Sequence, residues 1–196
     1  SFLDRYGNPI GSRGIKHNDS IPLEDFPDNL IKATLATEDR RFYDHFGIDI
    51  AGTARALVTN AQAGGVRQGG SSISQQLAKN LFLTREKSLQ RKLRELSYSF
   101  LLESTLGKNR ILEIYLNIIE WGPGLYGLRP AARHYFAKEP EDLTPREIAF
   151  LVSMIPGPVK YQRSIQGGEV TRGFDTLVNN LLVKLRSVDA LSEEEF

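Results

Sequence analysis

Glu38-Asp39-Arg40-Arg41-Phe42-Tyr43-Asp44-His45-Phe46-Gly47 is the stretch on which the fold and the chemistry of this chain turn. Ile31, Leu35, Glu38 and Phe42 recur at i, i+4, i+7 and i+11, the spacing of one face of an α-helix. That spacing predicts a helix over about 28–44, capped by Asp28 and ended by Gly47, with a carboxylate set into its apolar stripe. A carboxylate held there loses hydration, which raises its pKa and suits it to accept a proton near neutral pH. The competing interpretation places Glu38 at the rim of the stripe, in a structural ion pair with Arg41 at i+3. The helix by itself leaves both open.

Outward from this segment the chain reads as mainly α. A helix is expected over about 50–61, then a loop over 63–70 with four glycines in eight residues. Ser71 is expected to cap a helix reaching Phe82. A long helix over about 86–106 follows, with Leu89, Leu93, Leu96 and Phe100 as its apolar stripe and Ser88, Lys92, Glu95 and Ser99 as a polar seam beside it. Gly107 closes it, and Asn109 opens a helix over about 110–119 that is apolar around most of its circumference, as a central buried helix is. A short helix is expected over 130–136. Thr144-Pro145-Arg146-Glu147 is a capping box with Pro at N1, starting an apolar helix that stops at Pro156. A last helix is expected over about 170–186. Apart from the first ten residues, no segment reads as a strand.

The 196 residues suffice for a full hydrophobic core and suit one domain with a smaller lobe. The absence of cysteine excludes disulfides and thiol chemistry, and three dispersed histidines (17, 45 and 134) supply no zinc set. A net charge of +1 excludes a global polyanion-binding field. Charge is uneven, however: 85–110 holds seven Lys/Arg against three Glu. No apolar run approaches the ~20 residues that span a bilayer. Both ends look cut, and Ser192 with Glu195 reads as the cap of a helix that the sequence does not complete, so an excised domain is expected.

Chemistry is concentrated in four places. Gly69-Gly70-Ser71-Ser72-Ile73-Ser74-Gln75-Gln76 is a glycine-rich loop entering a helix, where backbone N–H groups and the positive dipole end face an anion. Ser72, Gln76 and Lys79 continue that wall along one helix face. Glu38-Asp39-x-x-Phe42-x-x-His45-x-Gly47, the loop with Lys79-Asn80, Arg91-Lys92-x-x-Glu95 and Ile111-Leu112-Glu113-x-Tyr115-Leu116-Asn117 together, in this order, resemble the successive motifs of the peptidoglycan glycosyltransferases, glycosyltransferase family 51. The similarity covers about 3–161. Ser72 stands where that family usually has Thr, which keeps the hydroxyl.

The resemblance implies a lysozyme-like, two-lobed helical fold with a short extended N-terminal segment, a catalytic domain over 1–161 and a helical connector over 162–196. It implies polymerisation of lipid II: a GlcNAc 4-hydroxyl attacks C1 of the lipid-linked MurNAc with inversion, releasing undecaprenyl diphosphate. Glu38 is then the general base, and Glu95 assists the leaving group or binds metal. Arg55, Ser71, Ser72, Gln75, Gln76, Lys79, Lys87, Arg91 and Lys92 contact the substrate or its diphosphate, and Asp39, Phe42, His45, Glu113 and Asn117 support them. No tightly bound cofactor is implied; a divalent cation (Mg²⁺ or Mn²⁺) at Glu95 or Asp39 is left open. The implied partners are lipid II, the growing glycan strand, the membrane surface and other cell-wall synthesis proteins, with no nucleic acid, at the outer face of the bacterial cytoplasmic membrane. Phe46, Ile48, Ile50, Ala51, Ala54, Leu57 and Val58 are the expected lipid-facing residues, with packing on the core as the alternative. Two rivals remain: a lysozyme-like hydrolase of the same polymer, to which a diphosphate-binding cluster is useless, and a non-catalytic module binding lipid or protein through 85–110.

Overall fold

The computed structural model describes residues 2–3, 9–11, 20–65, 69–83, 88–168 and 170–187. Strands β1 (Phe2–Leu3) and β2 (Pro9–Gly11) pair antiparallel, Phe2 opposite Gly11. Helices α1 (Asp28–Glu38), α2 (Ile50–Gln62), α3 (Ile73–Phe82), α4 (Leu89–Leu106) and α5 (Lys108–Ile118) follow. A hairpin of β3 (Glu120–Gly122) and β4 (Leu125–Tyr126) leads to α6 (Leu128–Phe136), α7 (Pro145–Met154), α8 (Pro158–Gln162) and α9 (Arg172–Ser187). The fold is mainly helical, as expected.

Helix α5 lies at the centre. Ile111, Leu112, Tyr115 and Leu116 are wholly buried, in one cluster with Leu30 of α1, Ile73 and Leu77 of α3, and Ile148 and Leu151 of α7. Burying each such side chain contributes about 1.5–3 kcal/mol, so this cluster dominates the stability of the fold. α3 packs on α4 and α5, while α1 packs on α7 and α9. The α7 capping box forms as the sequence requires: Thr144 Oγ1 accepts from Glu147 N, and the Glu147 carboxylate accepts from Thr144 N.

Several expectations need correction. α1 starts at Asp28 with no side-chain cap, and it stops at Glu38 instead of running to 44. The cause is Asp39, whose carboxylate accepts the Ile73 N–H at 2.9 Å and draws its backbone out of the helix to φ −159°. Phe42 is buried, but in a separate 3₁₀ turn (Phe42–Asp44). The deeply buried residues of α1 are Leu30, Ala33 and Thr34; Ile31, Leu35 and Glu38 line the flank. The cap of α3 is Ser72, not Ser71, and α5 opens after Gly107 rather than at Asn109. The hairpin went unpredicted because Gly122-Pro123-Gly124 reads as a break; Gly124 takes φ +72° at its turn. Arg85, Glu86, Lys87, 66–68 and 188–196 lie outside the described residues.

The largest correction is α4. Its expected apolar stripe faces outward, with Leu89 80%, Leu93 58% and Phe100 39% exposed, while Glu95, Ser99, Leu102 and Glu103 face inward. The inward charges are satisfied. Glu103 Oε1 accepts from Ser74 Oγ (2.5 Å), Lys108 Nζ (2.6 Å) and the Gly47 N–H (3.1 Å). Gly47 sits at φ +72°, and a Cβ there would come within 3.0 Å of the Phe100 ring, so the approach of this loop to α4 requires glycine.

Candidate active site

Glu38 closes α1 at the rim of a cleft of about 160 Å³. Asp39, Arg40, Arg55, Ser71 and Lys184 line the same cleft. Gln76 Nε2 donates to Glu38 Oε2 at 2.9 Å. Arg41, the suggested ion-pair partner, turns instead to Asp49 at 3.5 Å. Burial pushes the Glu38 carboxyl above the ordinary glutamate range; Asp39 adds to this, while the Gln76 bond, Lys79 and Lys184 work against it. Lys79, one turn along α3 from Gln76, is pulled below the ordinary lysine range, first by burial and then by Lys92 and Arg91, with Glu95 and Glu38 opposing.

Glu95 is buried, and two cations bracket it. Lys92 Nζ bonds Oε1, and Arg91 Nη1 lies 3.6 Å from Oε2. Lys92 Nζ also donates to Ser71 Oγ at 2.9 Å, and the Ser71 carbonyl is 3.5 Å from Gln76 Nε2. Glu38 and Glu95 thus sit at two ends of one polar chain running through Gln76, Ser71 and Lys92. The buried Nε of Arg91 has no acceptor among the described residues, an N–H available to an anion.

Other predicted residues make structural contacts, Ser72 while also lining the cleft. Ser72 and Gln75 form a reciprocal capping box, and Ser72 Oγ donates to the Gly47 carbonyl at 2.6 Å, tying α3 to the loop before α2. His45 Nε2 lies 2.9 Å from Asp39 Oδ1; facing a carboxylate, that nitrogen carries the proton. Lys108 Nζ stands 4.3 Å over the Phe42 ring. Asn117 donates to and accepts from the Ile21 backbone at 2.8 Å, and Glu113 accepts from Leu23 N at 3.3 Å, so this pair staples the entry segment away from the cleft. Lys87 is outside the described residues.

The two carboxylates suggested for a divalent ion do not fit one as arranged. Asp39 is engaged by His45 and Ile73, Glu95 by Lys92 and Arg91, and no group of three His, Asp or Glu able to hold an ion occurs among the described residues.

The family model described as Transglycosylase matches residues 6–182. The chain belongs to the transglycosylase family. The match takes in every lining residue of the cleft except Lys184, which lies two residues beyond its end. The chain is 44% identical over 158 residues to penicillin-binding protein 1A of Aquifex aeolicus, covering 81% of this chain and 22% of that protein. It is 45% identical over 142 residues to the biosynthetic peptidoglycan transglycosylase of Thiobacillus denitrificans, covering 72% of this chain and 61% of that one. Penicillin-binding protein 1F of Bacillus subtilis is 36% identical over 177 residues, with 90% and 25% covered. The chain therefore spans about a quarter of these penicillin-binding proteins and under two thirds of the biosynthetic transglycosylase.

Two residues of this candidate site receive no role from the sequence, Tyr115 although it stands in the fourth motif, and Lys184 in none. Tyr115 donates to Gln76 Oε1 at 3.1 Å; the available signal was a hydroxyl on an otherwise apolar buried helix, which must find an acceptor. Lys184 donates to the Ala36 carbonyl at 2.5 Å across 148 residues of sequence, and no local pattern announces such a contact.

Proposed function

We propose that this transglycosylase domain builds peptidoglycan glycan strands from lipid II. Glu38 Oε1 takes the proton of the acceptor GlcNAc 4-hydroxyl as that oxygen attacks C1 of the donor MurNAc from the face opposite the leaving group. The C1–O–phosphate bond breaks with inversion, and its electron pair leaves on undecaprenyl diphosphate. Lys79, Arg91 and Lys92 meet the charge that develops there, and Glu95 holds the two cations of α4 in place. Arg55 and Lys184, across the cleft, suit the diphosphate of the acceptor. The observation that carries this proposal is the pairing of a desolvated carboxylate with a separate cation cluster along one polar chain. A hydrolase cutting sugar from sugar has no use for that cluster.

The proposal takes a lysozyme-like two-lobed arrangement, with 1–161 as the catalytic unit and 162–196 as a connector whose α9 lends Lys184 to the cleft. It places the domain at the outer face of the bacterial cytoplasmic membrane, with other cell-wall synthesis proteins as partners. Among the described residues no helix is long and apolar enough to cross a membrane. The support for membrane contact is surface chemistry: Phe46, Ile50, Leu57 and Val58 are exposed, and Phe46 stacks on Phe100 at 6.0 Å, which joins them to the outward face of α4. Ile48 is half-buried and adds less. The test is incubation of the purified domain with lipid II in detergent. A ladder of glycan polymers with release of undecaprenyl diphosphate supports the proposal; shortening of preformed glycan without polymerisation would overturn it.

A further inference from the structure

The side-chain amide of Gln76 has a donor end and an acceptor end, and its bonds assign them: Nε2 to Glu38 Oε2 at 2.9 Å, Oε1 to the Tyr115 hydroxyl at 3.1 Å. Turned over, the amide would aim its carbonyl at the carboxylate, oxygen against oxygen. Lys79 of α3, Lys184 of α9 and the adjacent Asp39 face Glu38 through space and set its charge environment. They do not choose the orientation of the amide. The Glu38 carboxylate and the Ser71 carbonyl favour the NH₂ end on their side, and Tyr115 fixes the other end, because it is wholly buried in α5 and its hydroxyl needs an acceptor. Burial, reinforced by the negative charges of Glu38 and Asp39, keeps that hydroxyl protonated and so a donor.

We infer that Tyr115 is a positioning residue for the glycosyl transfer, acting through Gln76: it locks the amide with its NH₂ toward Glu38, so that Oε2 is occupied and Oε1 is the oxygen that takes the acceptor proton. This inference rests on the reading of Glu38 as the base. A phenylalanine would fill the same core volume, so the hydroxyl is what carries the role.

The test is a double-mutant cycle on lipid II polymerisation with Tyr115→Phe and Gln76→Met. Tyr115→Phe should lower kcat about 3–10-fold, the scale of one hydrogen bond, with KM within about twofold of the parent. In the Gln76→Met background the same change should do nothing further, since its route to Glu38 is gone. An unchanged kcat in Tyr115→Phe, or an effect that multiplies with Gln76→Met, overturns the inference and leaves Tyr115 a core residue. The side-chain amide resonances of Gln76, recorded without substrate, separate this from failure of the base assignment. They must shift in Tyr115→Phe whether or not Glu38 is the base, and unmoved resonances overturn the lock itself. Activity surviving in Glu38→Gln while those resonances shift would instead move the base elsewhere.

Discussion

The two ends of the polar chain treat a carboxylate in opposite ways. At the α1 end, Glu38 is desolvated and its close partner is a neutral amide, so its charge is poorly compensated and a proton is welcome. At the α4 end, Glu95 is more deeply buried, yet Lys92 and Arg91 stand against it. Both carboxylates are shielded from water; the difference between them is the partner, a neutral amide at one end and two cations at the other. On the proposed function, one end receives a proton and the other anchors cations for a departing anion.

The largest expected effect comes from breaking the first end. Glu38→Gln should lower polymerisation by about 10²–10⁴-fold, the usual contribution of a positioned proton acceptor, without loss of folding. A rate above about a tenth of the parent's would erase the contrast between the two carboxylates. Breaking the second end should cost somewhat less: Lys92→Ala removes a donor to the leaving group, expected to reduce turnover roughly 10²–10³-fold and to weaken donor binding as well. Unchanged kinetics would detach α4 from the diphosphate. A smaller effect is expected outside the cleft. Phe46→Ser, Ile50→Ser and Leu57→Ser combined should reduce co-sedimentation with anionic liposomes several-fold while lipid II polymerisation in detergent stays near that of the parent. Equal sedimentation would move the membrane contact off this surface.

The smallest effect sharpens the comparison through stability. Because the Glu38 pKa is raised in the folded state, the folded protein binds the proton more tightly, and this stabilising contribution is complete below the unfolded value of 4.5. It is lost as pH rises through the folded value. Glu38→Gln does not titrate, so its Tm relative to the parent should rise between acid and neutral pH. A Tm difference flat across that range contradicts the desolvated state of Glu38.

The same physics explains what the sequence disclosed. Caps are local, so the Thr144 box and the end of α3 at Phe82 were legible residue by residue, and the apolar circumference of α5 marked it as central. α4 was misjudged because pattern reading assumes that apolar residues turn inward. Here Glu95, Ser99 and Glu103 turn inward to Lys92, Arg91, Ser74 and Gly47, and Leu89 and Leu93 turn out. Glu38 was picked out for an apolar stripe that includes Phe42, yet the helix ends at Glu38 itself because Asp39 is drawn to the start of α3. Its desolvation survived the error, since the flank of α1 is shielded by other elements. Tyr115 and Lys184 enter the site from helices 77 and 146 residues away in sequence (115 − 38 and 184 − 38), contacts that only the fold brings together.

The division of labour between the two ends is tested most directly by measuring equilibrium binding of an unreactive lipid II analogue that retains the diphosphate, side by side for Glu38→Gln and Lys92→Ala. Glu38→Gln should bind within about threefold of the parent despite its lost turnover, because a base held for the transition state adds little to ground-state affinity, whereas Lys92→Ala should bind at least tenfold more weakly. The reverse order, with affinity lost in Glu38→Gln and kept in Lys92→Ala, would contradict the assignment of proton transfer to one end and diphosphate to the other.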